Sequence, residues 1–590
     1  LLNWQILKSR NQNTTDNLSL MKTFLTILLT AIITAFVCYL YLQPQETENV
    51  TKADIRAAQK LIDLQFTEQE MDTLLEDLNG NVKRYQTMHE FDLKNEVPLA
   101  LIFNPLPPGF VTDSNFQTNE WNIPDDVPMP VNQDELAFYN VMELASLLKN
   151  RKITSVDLTR LYLDRIRRYD DTLQAVITVT KDLAMDQAAR ADGEISQGIY
   201  RGPLHGIPYG VKDLLAVEGY ETTWGSATHR VQTLDYTATV VKKLEKAGAV
   251  LIAKLTSGAL ARGDVWFGGK TKNPWDLEQG ASGSSAGPAA ATAAGLVGFS
   301  IGTETMGSIT SPSIRCGTAG LRPTFGRVSR NGVMTLSWSL DKVGPICRSA
   351  EDCAIVFDAI HGADPADPTT RTLPFNYEGP ANLSQISLGF LEDSFEKDTV
   401  NKNNESTLAT LRSLGADIQA LNLPDTSDLP LQALSLVMYA EAGAAFDDLT
   451  RYNLDDQMVR QDEGARPNAL RQSRFIPAVE YVMANRYRYQ LMQQMDSLFE
   501  QTDVIVAPSR APNYYQLLIT NMTGHPVIVV PNGFDDEGHP QSVTFIGKLY
   551  DEATILEVAK AFQEASEHDE QHPAMFINDP VTALNTAVAQ

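Results

Sequence analysis

The chain has 590 residues, 43% of them apolar, with 36 glycines and 30 prolines, which suits a globular protein with one large core or several. Its formal charge of −26 argues against a nucleic-acid partner, whose phosphates need clustered Lys and Arg. Four cysteines (Cys38, Cys316, Cys347, Cys353) are too few and too scattered for a disulfide framework or a zinc site. With no HExxH, P-loop or GxGxxG, no metal, nucleotide or other cofactor is expected.

Residues 1–20 are polar and unpatterned and the chain begins with Leu, so Met21 is read as the natural start and 1–20 as a non-native or disordered leader. Lys22 precedes Phe24–Leu42, 19 residues without a charge, and the acids Glu46 and Glu48 follow. At 1.5 Å per residue such a run spans roughly 28 Å, the depth of a bilayer core. The expectation is a signal anchor over 21–45, membrane attachment through Phe24–Leu42, and the body of the chain outside the cytoplasm, periplasmic in a bacterium. A cleaved signal peptide is the alternative, although a small-x-small site is hard to find.

Thr51 to Gly80 reads as helix in two pieces. Thr67 and Glu70 form a capping box, Phe66 can staple onto Met71, and Gly80 is the expected stop. Met71, Leu74, Leu75 and Leu78 share one face. Residues 98–133 are proline-rich, an ordered wrap or a linker, and 46–133 together form an extension. From Asp134 amphipathic helices alternate with apolar runs ("AGAVLIAKL", "GLVGFSIG", "DVIVAP", "GHPVIVVPNGF"). That alternation predicts an α/β fold, a large mixed sheet sandwiched between helices, over 134–575, with a tail at 576–590.

Two serine readings compete in residues 278–312. Gly283-Ser284-Ser285-Ala286-Gly287 matches G-x-S-x-G, the nucleophile elbow, which needs a hydrophobic strand before it and an Asp and a His after it. The preceding "NPWDLEQGAS" is polar and turn-like, and His525, His539 and His568 lie in turns or the tail. The second reading places the nucleophile at Ser308, in "TETMGSI" after a strand. Backbone N–H groups of Thr305, Met306, Gly307 and Ser308 can then form an oxyanion hole. Lys212, at the end of an apolar run, is the candidate base, because desolvation lowers a lysine pKa and a neutral amine accepts a proton. A salt bridge to the adjacent Asp213 is the ordinary alternative for such a lysine.

These segments resemble, in order and spacing, the amidase signature family of carbon–nitrogen hydrolases over roughly 134–575. "GPLHGIPYGVKD" is similar to the family's lysine segment, "GASGSSAGPAAATAAG" to its Gly/Ser-rich segment and "GTETMGSI" to its nucleophile loop. The long run "CGTAGLRPTFGRVSRNGVMTLSWSLDKVGPICRSAEDC" and the C-terminal "ITNMTGHPVIVVPNGF" follow the same order. The resemblance implies Ser308 as nucleophile, Ser284 as a bridging serine after a cis peptide bond, Lys212 as base, and an acyl-enzyme. Ser282 and Ser285 are expected to hydrogen-bond the loop. The function implied is hydrolysis of a small-molecule amide. One alternative is the glutamine-hydrolysing component of an amidotransferase, and the other is a non-catalytic binding protein with this fold.

Three departures bear on the substrate. Thr310 stands where the family often has arginine, "KLTSGALA" replaces "KTNxxEFA", and Arg322 stands where lysine is common. Thr310 offers no charge, and Trp266, Phe267, Met306 and Trp338 lie in segments expected near the site. Trp266, Phe267, Thr310 and Trp338 are therefore the candidate substrate contacts, and an apolar pocket for neutral aryl or fatty amides is expected.

Overall fold

The computed structural model describes residues 28–30, 49–91, 93–398, 401–425, 427, 429–509 and 515–577. It divides into two compact units, 1–92 and 93–590. In the first, helices α1 (Lys52–Gln59) and α2 (Glu68–Met88) each open with a Thr capping box, Thr51/Asp54 and Thr67/Glu70. Met71 is buried and Leu74, Leu75 and Leu78 are half-buried on the expected face. Gly80 does not end α2, which continues to Met88. A glycine stop needs left-handed backbone at the helix end, and Gly80 is not among the positive-φ glycines; inside the helix it costs only about 1 kcal/mol.

The expected membrane-spanning segment is corrected. Among the described residues no helix is long and apolar enough to cross a membrane. Of the Phe24–Leu42 run only Leu28, Leu29 and Thr30 are described, and the rest lies outside the described residues.

The second unit is built on a mixed sheet, eleven-stranded among the described residues, in the order β1-β3-β2-β8-β10-β9-β14-β15-β13-β11-β12. Its strands are β1 (Val176–Val179), β2 (Pro208–Lys212), β3 (Val250–Leu255), β8 (Phe299–Glu304), β9 (Ala319–Arg322), β10 (Lys342–Cys347), β11 (Leu388–Leu391), β12 (Ile418–Leu421), β13 (Val504–Pro508), β14 (Val527–Phe534) and β15 (Pro540–Gly547). Two hairpins, β4 (Val265–Trp266) with β5 (Gly269–Lys270) and β6 (Lys272–Asn273) with β7 (Asp276–Gly280), interrupt the chain before the Ser-rich loop. The central strands β2, β3, β8 and β10 are buried along their whole length. A strand covered on both faces is mostly apolar, and the charged side chains these strands do carry, Lys212, Lys254, Glu304 and Lys342, are buried with the rest. The proline-rich segment packs on this unit: Trp121 stacks on Tyr377 at 5.4 Å and its Nε1 donates to Asp358 at 3.1 Å.

Strands β3, β2 and β8 are mutually parallel, with Val211 opposite Ile301. Lys212 therefore reaches the carboxyl end of the sheet beside Gly302 and Thr303. Open α/β sheets place ligands at that edge.

Candidate active site

Lys212 is the last residue of β2 and is wholly buried. Its Nζ lies 2.8 Å from Ser284 Oγ, 2.9 Å from Thr303 Oγ1 and 3.4 Å from Thr303 O. Burial pushes its pKa well below the usual lysine value, and the carboxylates of Asp341 and Glu304 oppose that shift without cancelling it. An ammonium can donate to all three oxygens; a neutral amine can donate to the two Thr303 oxygens and accept from Ser284. Side chains alternate along a strand, so the adjacent Asp213 faces away. It pairs instead with Lys254 at 2.8 Å, both fully buried.

Ser284 reaches Lys212 because the loop after β7 turns into helix α3 (Ala286–Ala293). The Gly283–Ser284 peptide bond is cis. A Cβ on Gly283 would sit 2.0 Å from the backbone oxygen of Gly263, so only glycine fits there. Ser285 Oγ bonds both Thr303 N, at 3.2 Å, and Thr303 O, at 3.1 Å. The elbow serine is thus tied into β8. None of His525, His539 and His568 hydrogen-bonds Ser284, Ser285 or Ser308 among the described residues.

Ser308 lies in the loop between β8 and helix α4 (Thr310–Cys316). Its backbone oxygen accepts from Ser285 N at 3.1 Å, which ties the two serine loops together. It keeps 8% exposure against 1% for Ser284, so it is the more accessible of the two. No direct bond joins the two hydroxyls; such bonds often tighten only with substrate bound. The N–H groups of Thr305, Met306, Gly307 and Ser308 meet no protein acceptor among the described residues. Gly307 supplies the bend at φ +92°, and a Cβ there would press on Ser311 and Leu517.

Glu304 braces this loop from below. Its Oε2 accepts from Ile309 N (2.9 Å), Thr310 N (2.9 Å) and Thr310 Oγ1 (3.1 Å). Its Oε1 pairs with Arg322 at 2.8 Å and accepts from Asn521 at 3.0 Å. Burial alone would raise the Glu304 pKa; the Arg322 charge and these hydrogen bonds outweigh it and hold the carboxyl at about 2. Asp341 Oδ1 accepts from Thr305 Oγ1 at 2.5 Å and fixes the other end of the loop. Sequence pattern assigned no role to Thr303, Asp341 or Glu304, and it marked Arg322 only as a departure from the lysine common in the family.

A cavity of about 270 Å³ borders the helix that follows the loop, lined among others by Ser282, Thr310, Ser311, Arg315 and Arg322, and by Leu517, Val527 and Ile546. Of the four expected substrate contacts only Thr310 borders it. The other three do not line it: Trp266 packs edge-on against Phe267 at 5.1 Å, Arg230 covers Phe267, and Trp338 Nε1 donates to Val97 O at 3.1 Å. Met306 packs partly buried in an apolar cluster with Ile314 and Leu340. Arg315, to which no motif assigns a role, does line the cavity.

The family model for Amidase matches residues 157–556, and the chain belongs to the amidase family of carbon–nitrogen hydrolases. It is 32% identical over 489 residues to the A subunit of glutamyl-tRNA(Gln) amidotransferase from Moorella thermoacetica, covering 75% of this chain and 99% of that one. The corresponding protein of Geobacillus kaustophilus is 33% identical over 484 residues, covering 74% and 99%. Among solved structures, the native peptide amidase of Stenotrophomonas maltophilia is 30% identical with a TM-score of 0.66, covering 74% of this chain and 98% of that one. The membrane-anchored or exported location expected from the apolar run is corrected: these curated relatives are named as amidotransferase components, and no described helix can serve as the anchor.

Proposed function

We propose that this chain hydrolyses the carbon–nitrogen bond of linear amides, with Ser308 as nucleophile, Ser284 as proton bridge and Lys212 as base. The observation that carries this reading is a fully buried lysine amine 2.8 Å from Ser284 Oγ, with Ser308 on the adjoining loop. Ser308 Oγ attacks the carbonyl carbon and gives its proton to Ser284, which passes its own to Lys212. The oxyanion is held by the amides of Thr305 to Ser308. Collapse breaks the C–N bond, the relayed proton goes to the leaving amine, and water releases the acyl group from Ser308 by the same path.

The test is labelling by a fluorophosphonate together with turnover of a panel of aliphatic, aryl and peptide amides. Ser308→Ala is expected to lose both, while Ser285→Ala keeps labelling. The reverse pattern would favour the elbow serine. The names of the curated relatives favour a second reading, a glutamine-hydrolysing protein that works with partner chains on glutamyl-tRNA(Gln). Glutamine turned over far faster than every amide of the panel would favour that reading.

A further inference from the structure

Two cationic side chains border the cavity that Thr310 and Ser311 line, two and three residues along the chain from Ser308, and their situations differ. The Arg322 guanidinium is matched by Glu304 at 2.8 Å. Arg315 pairs with no carboxylate among the described residues. Its Nη1 donates to the neutral amide oxygen of Gln279, and its Nε is buried without a partner. Among the described residues no Asp or Glu lines the cavity, and the hydroxyls of Ser311, Ser509 and Thr544 do. In a chain of net charge −26, this small space carries one unmatched positive charge.

We propose that Arg315 is the specificity-determining residue of this cavity and binds a carboxylate on the acyl part of the amide. The inference rests on Ser308 being the nucleophile. A planar guanidinium holds a carboxylate through paired, charge-assisted hydrogen bonds. Arg315 stands five residues along α4 from Thr310, roughly 7–8 Å of helical rise. The carboxylate therefore lies several bonds from the scissile carbonyl. The cavity holds about nine water-sized volumes, enough for a short dicarboxylic acid half-amide. Thr310 removes charge next to the serine, and Arg315 supplies it further along the same helix. This differs from the expected apolar pocket for neutral aryl or fatty amides.

The experiment compares kcat/KM for glutaramate and for 5-methylhexanamide, which has the same shape without the charge. The parent is expected to favour glutaramate by at least about tenfold, and Arg315→Met to lower that ratio by about 10- to 100-fold, mainly through KM for glutaramate. Arg315→Lys should retain part of the preference. The ratio cancels the concentration of active enzyme, so partial misfolding of a variant does not imitate the effect. A parent ratio of one or less, or a ratio unchanged in Arg315→Met, would overturn the role of Arg315. So would an enzyme that labels at Ser308 but leaves glutaramate intact. A parent that no fluorophosphonate labels would overturn the serine reading, and this inference with it.

Discussion

Replacing Lys212 by methionine keeps the length of the side chain and removes its amine. Lys212 is wholly buried, and burial disfavours its charged form. For a lysine neutral at pH 7 in the fold, with the ordinary pKa of about 10.4 when unfolded, folding removes a proton at a cost of ~4 kcal/mol. Methionine escapes that cost and gives up the hydrogen bonds to Ser284 and Thr303, together worth about 1–3 kcal/mol. Lys212→Met is therefore expected to be more stable than the parent at pH 7, by roughly 1–3 kcal/mol. The unfolded parent binds more protons than the folded one, so parent stability rises with pH. The gap should close by about 1.4 kcal/mol per pH unit as pH climbs toward 10. Over the same range parent activity should stay level, because the folded amine has already lost its proton, and it should fall only at lower pH, where the amine is protonated. Turnover of the variant should fall at least about 10³-fold, the usual scale for a lost relay member. Melting temperatures of both proteins from about pH 6 to 10, with kcat/KM for one amide, measure all of this. A variant no more stable than the parent at pH 7, with a gap that ignores pH, would refute the neutral buried lysine. A variant within about tenfold of parent turnover would remove Lys212 from the chemistry.

Glu304→Gln should destabilise the protein by about 3–5 kcal/mol at pH 7, because it leaves Arg322 buried without its counter-charge. The folded Glu304 carboxyl titrates at about 2 against an ordinary 4.5, so its stabilising effect is complete above about pH 4.5 and is lost as pH falls toward 2. The two melting curves should converge over that interval, and equal melting at pH 7 would contradict the bracing role. Gly307→Ala puts a Cβ at φ +92°, 2.9 Å from Ser311 Oγ and 3.0 Å from a Leu517 methyl. It should lower kcat and the rate of fluorophosphonate labelling by about tenfold or more while the melting temperature moves little, since strain of about 1–2 kcal/mol falls on the nucleophile loop alone. Labelling at the parent rate would show that the loop tolerates another backbone.

Much of the architecture was legible in short stretches. The apolar runs of β3, β8, β13 and β14 and the Thr67/Glu70 capping box depend on neighbours only a few residues apart, and they fall where the pattern puts them. The candidate relay was legible in a different way: Lys212, Ser284 and Ser308 were picked out by motif order and spacing, and the fold sets Lys212 against Ser284 across 72 positions. What the pattern could not decide was which way side chains turn once distant segments meet. Gly80 looked like a stop, yet only its backbone angle settles whether a helix ends there. Asp213 looked like a partner for Lys212, but strand alternation sends it to Lys254. Trp266, Phe267 and Trp338 were placed near the substrate by segment, and each ring is taken up by a neighbour of its own. Arg315 shows no motif, because its significance lies in what does not surround it. Residue order thus determined the strands, the caps and the chemical types available. The sheet order, which sets β2 beside β8 and β9 beside β14, decided which charges are matched and which one is left facing the cavity, since electrostatic pairing depends on separation in space and not along the chain.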